Sequence, residues 1–217
     1  MPALPYTHSE EEQQILLGLA ARSIEYGLIH QHRWAPAASH LPEALAAQGA
    51  SFVTLHQQKG TELALRGCIG SVSPFQPLWL DVVSHAYDAA FRDPRFSSLQ
   101  QQECDDLLLE VSVLSPPAPL EKSEYPQLLQ RLTPHVDGVL LEGEGRRSLF
   151  LPQVWQQLPD AKAFLTALLH KGGWPGDCWQ GDNLSESITV SLFQVVHYQR
   201  PYQEALSFSL KDLVLEE

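Results

Sequence analysis

The segment Arg66-Gly67-Cys68-Ile69-Gly70 sets a thiol among glycines, two residues from a guanidinium. Cysteine acts as a nucleophile or a ligand through its thiolate, which nearby cations, backbone amides and helix starts favour. Glycines let a backbone turn sharply or approach a ligand closely, and amides in such a turn form a concavity for anions. The same residues also suit a structural cysteine in a glycine-lined turn, because free cysteine is among the most buried residue types. Cys68 is the first candidate for a reacting group, with Arg66, Gly67 and Gly70 as candidate binding residues.

His85 lies on a segment of helical periodicity. It could orient or deprotonate Cys68 if that helix packs across the strand end; its place on an apolar row also fits a core histidine. Asp93-Pro94-Arg95-Phe96 offers a carboxylate and a guanidinium. They could hold a substrate carboxylate or each other, with Asp93 capping the turn. His30, His32 and His40 match no strong zinc spacing and read as loop residues, so neither a metal nor a cofactor is expected. Cys104 precedes Asp105 and Asp106, and Cys178 follows Asp177. Adjacent carboxylates raise a thiol's pKa, so Cys68 is expected to alkylate faster than the other two.

These residues need elements to position them. Ser9 followed by Glu12 reads as a capping box, and Leu17, Ala21, Ile24 and Leu28 recur at helical spacing, which predicts a helix over 10–28. Strand-forming residues 52–56, the turn Gln58-Lys59-Gly60 and the alternating stretch 62–66 predict a hairpin, from which Gly67 to Gly70 emerge as a turn. A helix is expected over 78–91, with Pro77 at its first turn and Asp93-Pro94 ending it. Leu107, Leu109, Val111 and Val113 alternate with Glu110 and Ser112, the pattern of a strand with one wet face. Further on come a helix over 125–132, a hairpin around Gly143-Glu144-Gly145, and a helix capped by Asp160. One long strand is expected over 188–198, pairing with the early hairpin. Hairpins separated by helices, without strict strand-helix alternation, indicate an α+β fold with a mixed or antiparallel sheet and packed helices.

The 217 residues suffice for a large core, and 44% apolar with 18% charged residues is ordinary globular composition. Lys and Arg number 14 against 26 acids, a formal net charge of -12, which disfavours direct binding to nucleic acid. Three cysteines without a CxxC pair suggest reduced thiols in a cytoplasm. The first residues lack a signal-peptide pattern, and no apolar run approaches the roughly 20 residues that span a bilayer. No glycine pattern suits a dinucleotide or a P-loop.

Several segments together carry a resemblance. They are Phe52-Val53-Thr54-Leu55, Leu65-Arg66-Gly67-Cys68-Ile69-Gly70, Ala89-Ala90-Phe91, Asp93-Pro94-Arg95-Phe96, Glu110-Val111-Ser112-Val113-Leu114 and Leu151-Pro152-Gln153-Val154-Trp155. In this order they resemble the AMMECR family, whose bacterial members belong to the AmmeMemoRadiSam system. The resemblance implies a single AMMECR-type domain over 1–217, made of two subdomains sharing a cleft beside the Cys68 segment. It also implies two partners, a Memo-like protein and a radical SAM enzyme, and brings no settled activity. Two readings stay open: an enzyme or enzyme subunit with Cys68 as its reactive group, or a non-catalytic binding module whose Arg66–Gly70 turn is a recognition surface.

Overall fold

The computed structural model describes residues 6–175, 178–180, 183–210 and 214–216. The chain divides into two compact units. The first holds the residues up to Leu114 and those from Val196 onward; the second is Ser115–Val195.

The first unit begins with α1 (Glu10–His30), two residues longer than its spacing predicts. Ser9 caps it: its hydroxyl accepts the Glu12 amide at 3.2 Å, and the Glu12 carboxylate accepts the Ser9 amide at 2.7 Å. β1 (Gln48–Lys59) and β2 (Glu62–Gly70) form the early hairpin. Next come α2 (Leu78–Phe91) and β3 (Leu107–Leu114), both with the bounds the periodicity predicts. α2 packs on α1 where Gly27 leaves room; a Cβ there would lie 2.4 Å from the Phe91 ring. Val53, Leu55, Leu109, Val111 and Val113 are fully buried in the core they share with the helices. Each such side chain contributes about 2 kcal/mol of burial.

In the second unit, β4 (Gly138–Gly143) and β5 (Arg146–Phe150) flank a turn in which Glu144 and Gly145 have φ 54 and 73. Two positive φ values in a two-residue loop match the twist of the flanking strands. Asp160 caps α3 (Ala161–Lys171), accepting the Ala163 amide at 2.8 Å. Trp155 stacks on Phe164 at 3.8 Å in the core. The helix expected over 125–132 is instead a 3-10 turn, Lys122–Gln127, followed by a short α-helix, Leu128–Arg131. Pro126 has no amide to donate and disfavours helical geometry at Tyr125.

The long strand expected over 188–198 is two strands, β6 (Thr189–Phe193) and β7 (Val195–Pro201). Gln194 lies between them and is held by Ser115, whose amide donates to its carbonyl at 2.8 Å and whose hydroxyl accepts its amide at 2.9 Å. β6 pairs with β4 in a four-stranded sheet. β7 joins the other sheet, whose order is β7-β3-β1-β2, so its neighbour is β3 and not the early hairpin. A fifth short strand, Gln76–Pro77, pairs with the start of β1. α4 (Tyr202–Ser207) follows in the first unit, and a strand at Val214–Glu216 then pairs with Ala37–Ser39. Among the described residues no helix is long and apolar enough to cross a membrane.

Candidate functional site

Arg66 to Gly70 lie inside β2 and form no turn. Phe52 pairs with Gly70, Thr54 with Cys68 and Leu55 with Gly67, while His56 pairs with Leu65. Arg66 is the extra residue of a β-bulge between the last two pairs. The glycines serve packing. A Cβ on Gly67 would lie 2.1 Å from the Ala89 carbonyl of α2, and one on Gly70 would lie 2.3 Å from the Phe52 ring. The close approach that glycine permits is thus taken up by the protein's own helix and neighbouring strand.

Side chains alternate across a strand. Gly67 faces α2, so Cys68 and its partner Thr54 face away from it. Thr54 Oγ1 donates to Cys68 Sγ at 3.2 Å. β2 is the last strand of its sheet, and the Cys68 backbone points to the open edge. There its amide donates to Asp93 Oδ2 at 2.9 Å, and its carbonyl accepts from Arg95 Nη2 at 3.1 Å. Arg95 grips the same carboxylate, Nε to Oδ1 at 2.9 Å and Nη2 to Oδ2 at 2.6 Å. The Asp93 side chain is 1% exposed and that of Arg95 53%. The Arg95 guanidinium and the amides of Cys68 and Arg95 hold the Asp93 carboxyl well below the usual carboxylate range. Asp93 and Arg95 therefore pair with each other, as the turn reading foresaw, and together they clamp Cys68.

Arg66 is buried and committed elsewhere. Its Nε donates to Glu103 Oε1 at 2.7 Å and its Nη2 to the Ser97 carbonyl at 2.9 Å. The guanidinium in turn lowers the Glu103 pKa. The guanidinium carbons of Arg66 and Arg95 lie 5.9 and 5.5 Å from the Phe96 ring centre.

His85 is not on the thiol's side of the sheet. Its Nδ1 lies 3.2 Å from Asp81 Oδ2, on the α2 side. Asp81 is fully buried and also accepts from the amide and hydroxyl of Ser51, at 2.9 and 2.7 Å. Helical spacing places Asp81 and His85 on one face of α2, and that face covers the sheet surface opposite Cys68. The expected meeting of His85 with Cys68 does not occur in this geometry.

Sequence reasoning missed the residues that share the thiol's face. Thr54 pairs with Glu110 across β1 and β3. Ser112 Oγ lies 3.2 Å from Glu110 Oε1 and 2.8 Å from His197 Nδ1. His197, then Ser112 and His56, hold the Glu110 carboxyl below its ordinary value. The alternation of β3 assigned Glu110 and Ser112 to the wet face, but nothing local pointed to Thr54 or His197. Cys104 and Cys178 are buried. Burial first, then Asp105 and Glu103, pushes the Cys104 thiol up to about 11. Asp177 lies outside the described residues. His30 lies tilted against Tyr26 and His32 meets the same ring edge-on, and among the described residues no group of three potential ligands could hold a metal.

The AMMECR1 family model matches residues 17–198. The chain belongs to the AMMECR1 family. A protein of Aeropyrum pernix is 36% identical over 200 residues, 89% of this chain and 80% of its own length. One of Thermococcus gammatolerans is 34% identical over 203 residues, 90% of this chain and 96% of its own. The crystal structure of the uncharacterized protein PH0010 from Pyrococcus horikoshii matches with a TM-score of 0.67 at 32% identity. It covers 92% of this chain and 96% of its own, so this AMMECR1 member shares an α+β fold with that protein. The matched span contains Thr54, Cys68, Asp93, Arg95 and Glu110.

Proposed function

We propose that this AMMECR1 member is an enzyme subunit whose reacting group is the Cys68 thiol. The observation that carries the reading is the clamp. One buried carboxylate and its arginine take both main-chain polar groups of a single, partly exposed cysteine. A reacting atom must be held within tenths of an ångström by groups that are themselves locked, and Asp93 and Arg95 supply that hold. Arg66 and Arg95 are both ion-paired, but Arg66 is buried and Arg95 is half-exposed, so Arg95 is the one that can receive an anionic group of a substrate. The family resemblance supports a Memo-like protein and a radical SAM enzyme as partners.

A second reading is a non-catalytic adaptor, with the same strand as a recognition surface. It is favoured by the placement of His85, which pairs with Asp81 on the α2 side, while the thiol accepts from the Thr54 hydroxyl. Limited iodoacetamide labelling of the folded protein near neutral pH, read by peptide mass spectrometry, separates the two. Cys68 is expected to react first, because Cys104 and Cys178 are buried. If either of those reacts first and Cys68 stays unlabelled until unfolding, the enzyme reading gives way to the adaptor.

A further inference from the structure

β2 lies at the end of its sheet, and the ladder fixes which of its residues turn their main-chain groups outward. Gly60 and Thr61 form a two-residue turn closed by the pair Lys59–Glu62. From that pair, hydrogen-bonded and non-hydrogen-bonded pairs alternate. Gln57–Ala64 is bonded; Gln58–Leu63 and His56–Leu65 are not. The N–H and C=O of Leu63 and Leu65 therefore point away from β1. Beyond the bulge the same alternation turns Cys68 outward, and there Asp93 and Arg95 cover the edge. The chain caps its own edge at Cys68, while no described hydrogen bond reaches the outward groups of Leu63 and Leu65.

The side chains at this bare stretch are also unusual. Leu63 is 51% exposed and Leu65 42% exposed, two residues apart on one face. Edge strands are ordinarily blunted by lysine, proline or a covering segment. Two leucines beside unpaired amides instead form a template for another strand.

We propose that this edge pairs with the same edge of a second copy of the chain, antiparallel about a two-fold axis at Ala64. In that register Leu63 faces Leu65 of the second copy and the reverse, so four main-chain hydrogen bonds form. The leucines pack as cross-strand pairs on one face. Neighbouring registers fail for stated reasons. A shift of two residues toward Cys68 drives the second copy's Glu62 into the space held by Arg95. A shift the other way sets Leu65 against the turn residue Thr61. Only the central register ends with the second copy's turn level with the clamp, and it brings the exposed Glu62 of each copy beside the half-exposed Arg95 of the other. Such an interface is isologous, as closed dimers require.

Sedimentation and light scattering from micromolar to millimolar concentration test the pairing, at about 0.15 M salt to screen the charge of the two acidic chains. The full chain is expected to pass from monomer to dimer. Amide exchange at Leu63 and Leu65 is expected to slow about tenfold in the concentrated sample. The double variant Leu63→Lys with Leu65→Lys should stay monomeric with unchanged circular dichroism. Leu65→Pro removes an outward donor without costing a bond to β1, and should do the same. A chain that is monomeric at every concentration overturns the proposal, and so does a dimer that both variants retain. Neither result touches the reading of Cys68.

Discussion

Asp93 is the residue on which the local chemistry turns. It is nearly inaccessible, ion-paired to Arg95 and bonded to the Cys68 amide. Its folded pKa lies below the unfolded value of about 3.9, so the unfolded chain binds the proton more readily. The stability it contributes is complete above that value and is lost as pH falls toward the folded pKa. Asp93→Asn keeps the shape and removes the charge. It is expected to cost about 2 kcal/mol at pH 7, the scale of hydrogen bonds to a charged group. The gap between the two proteins should narrow as pH falls below about 4. Urea titrations at the two pH values check this; an equal gap at both would show that the carboxylate charge is not what holds the clamp.

At the scale of elements, the bulge at Arg66 and the glycines around it set α2 against β2. Gly67→Ala is expected to cost about 3 kcal/mol, because the new Cβ meets a backbone carbonyl that cannot rotate away. Gly60 makes the contrast. It has φ 63 with nothing within 4 Å of its would-be Cβ, so Gly60→Ala should cost only the left-handed strain of about 1 kcal/mol. Thermal denaturation of the two variants side by side tests whether close packing or backbone freedom is what each glycine supplies. Equal losses would remove the argument that Gly67 is there for the helix.

For the whole molecule, the second unit is one continuous stretch with its own core around Trp155, Phe164, Leu168 and Val190. Ser115–Val195 made as a separate fragment is expected to unfold cooperatively on heating, with a near-ultraviolet signal from the stacked Trp155. Its small size makes it marginal. A fragment without a transition would show that this core needs residues of the first unit. The first unit carries the clamp, the thiol and the Glu110–Ser112–His197 group. The family match from 17 to 198 spans residues of both units.

The sequence by itself determined what depends on neighbours along the chain. The capping box at Ser9, the bounds of α2 and β3 and the cap at Asp160 are all set by contacts within a few residues. Element type was legible for the same reason, and so was the α+β class. Tertiary structure decided which side of the sheet each candidate faces. A slip of one residue moves a whole strand's side chains to the other face. The bulge at Arg66 and the seating of α2 are what put Cys68 with Thr54 and His85 with Asp81. The partners of Arg66 and Ser112 lie 37 and 85 residues away, at Glu103 and His197, and no local pattern encodes such distances. The break at Gln194 escaped notice for a similar reason. Apolar residues lie on both sides of it, and only the ladders show that the strand changes sheets.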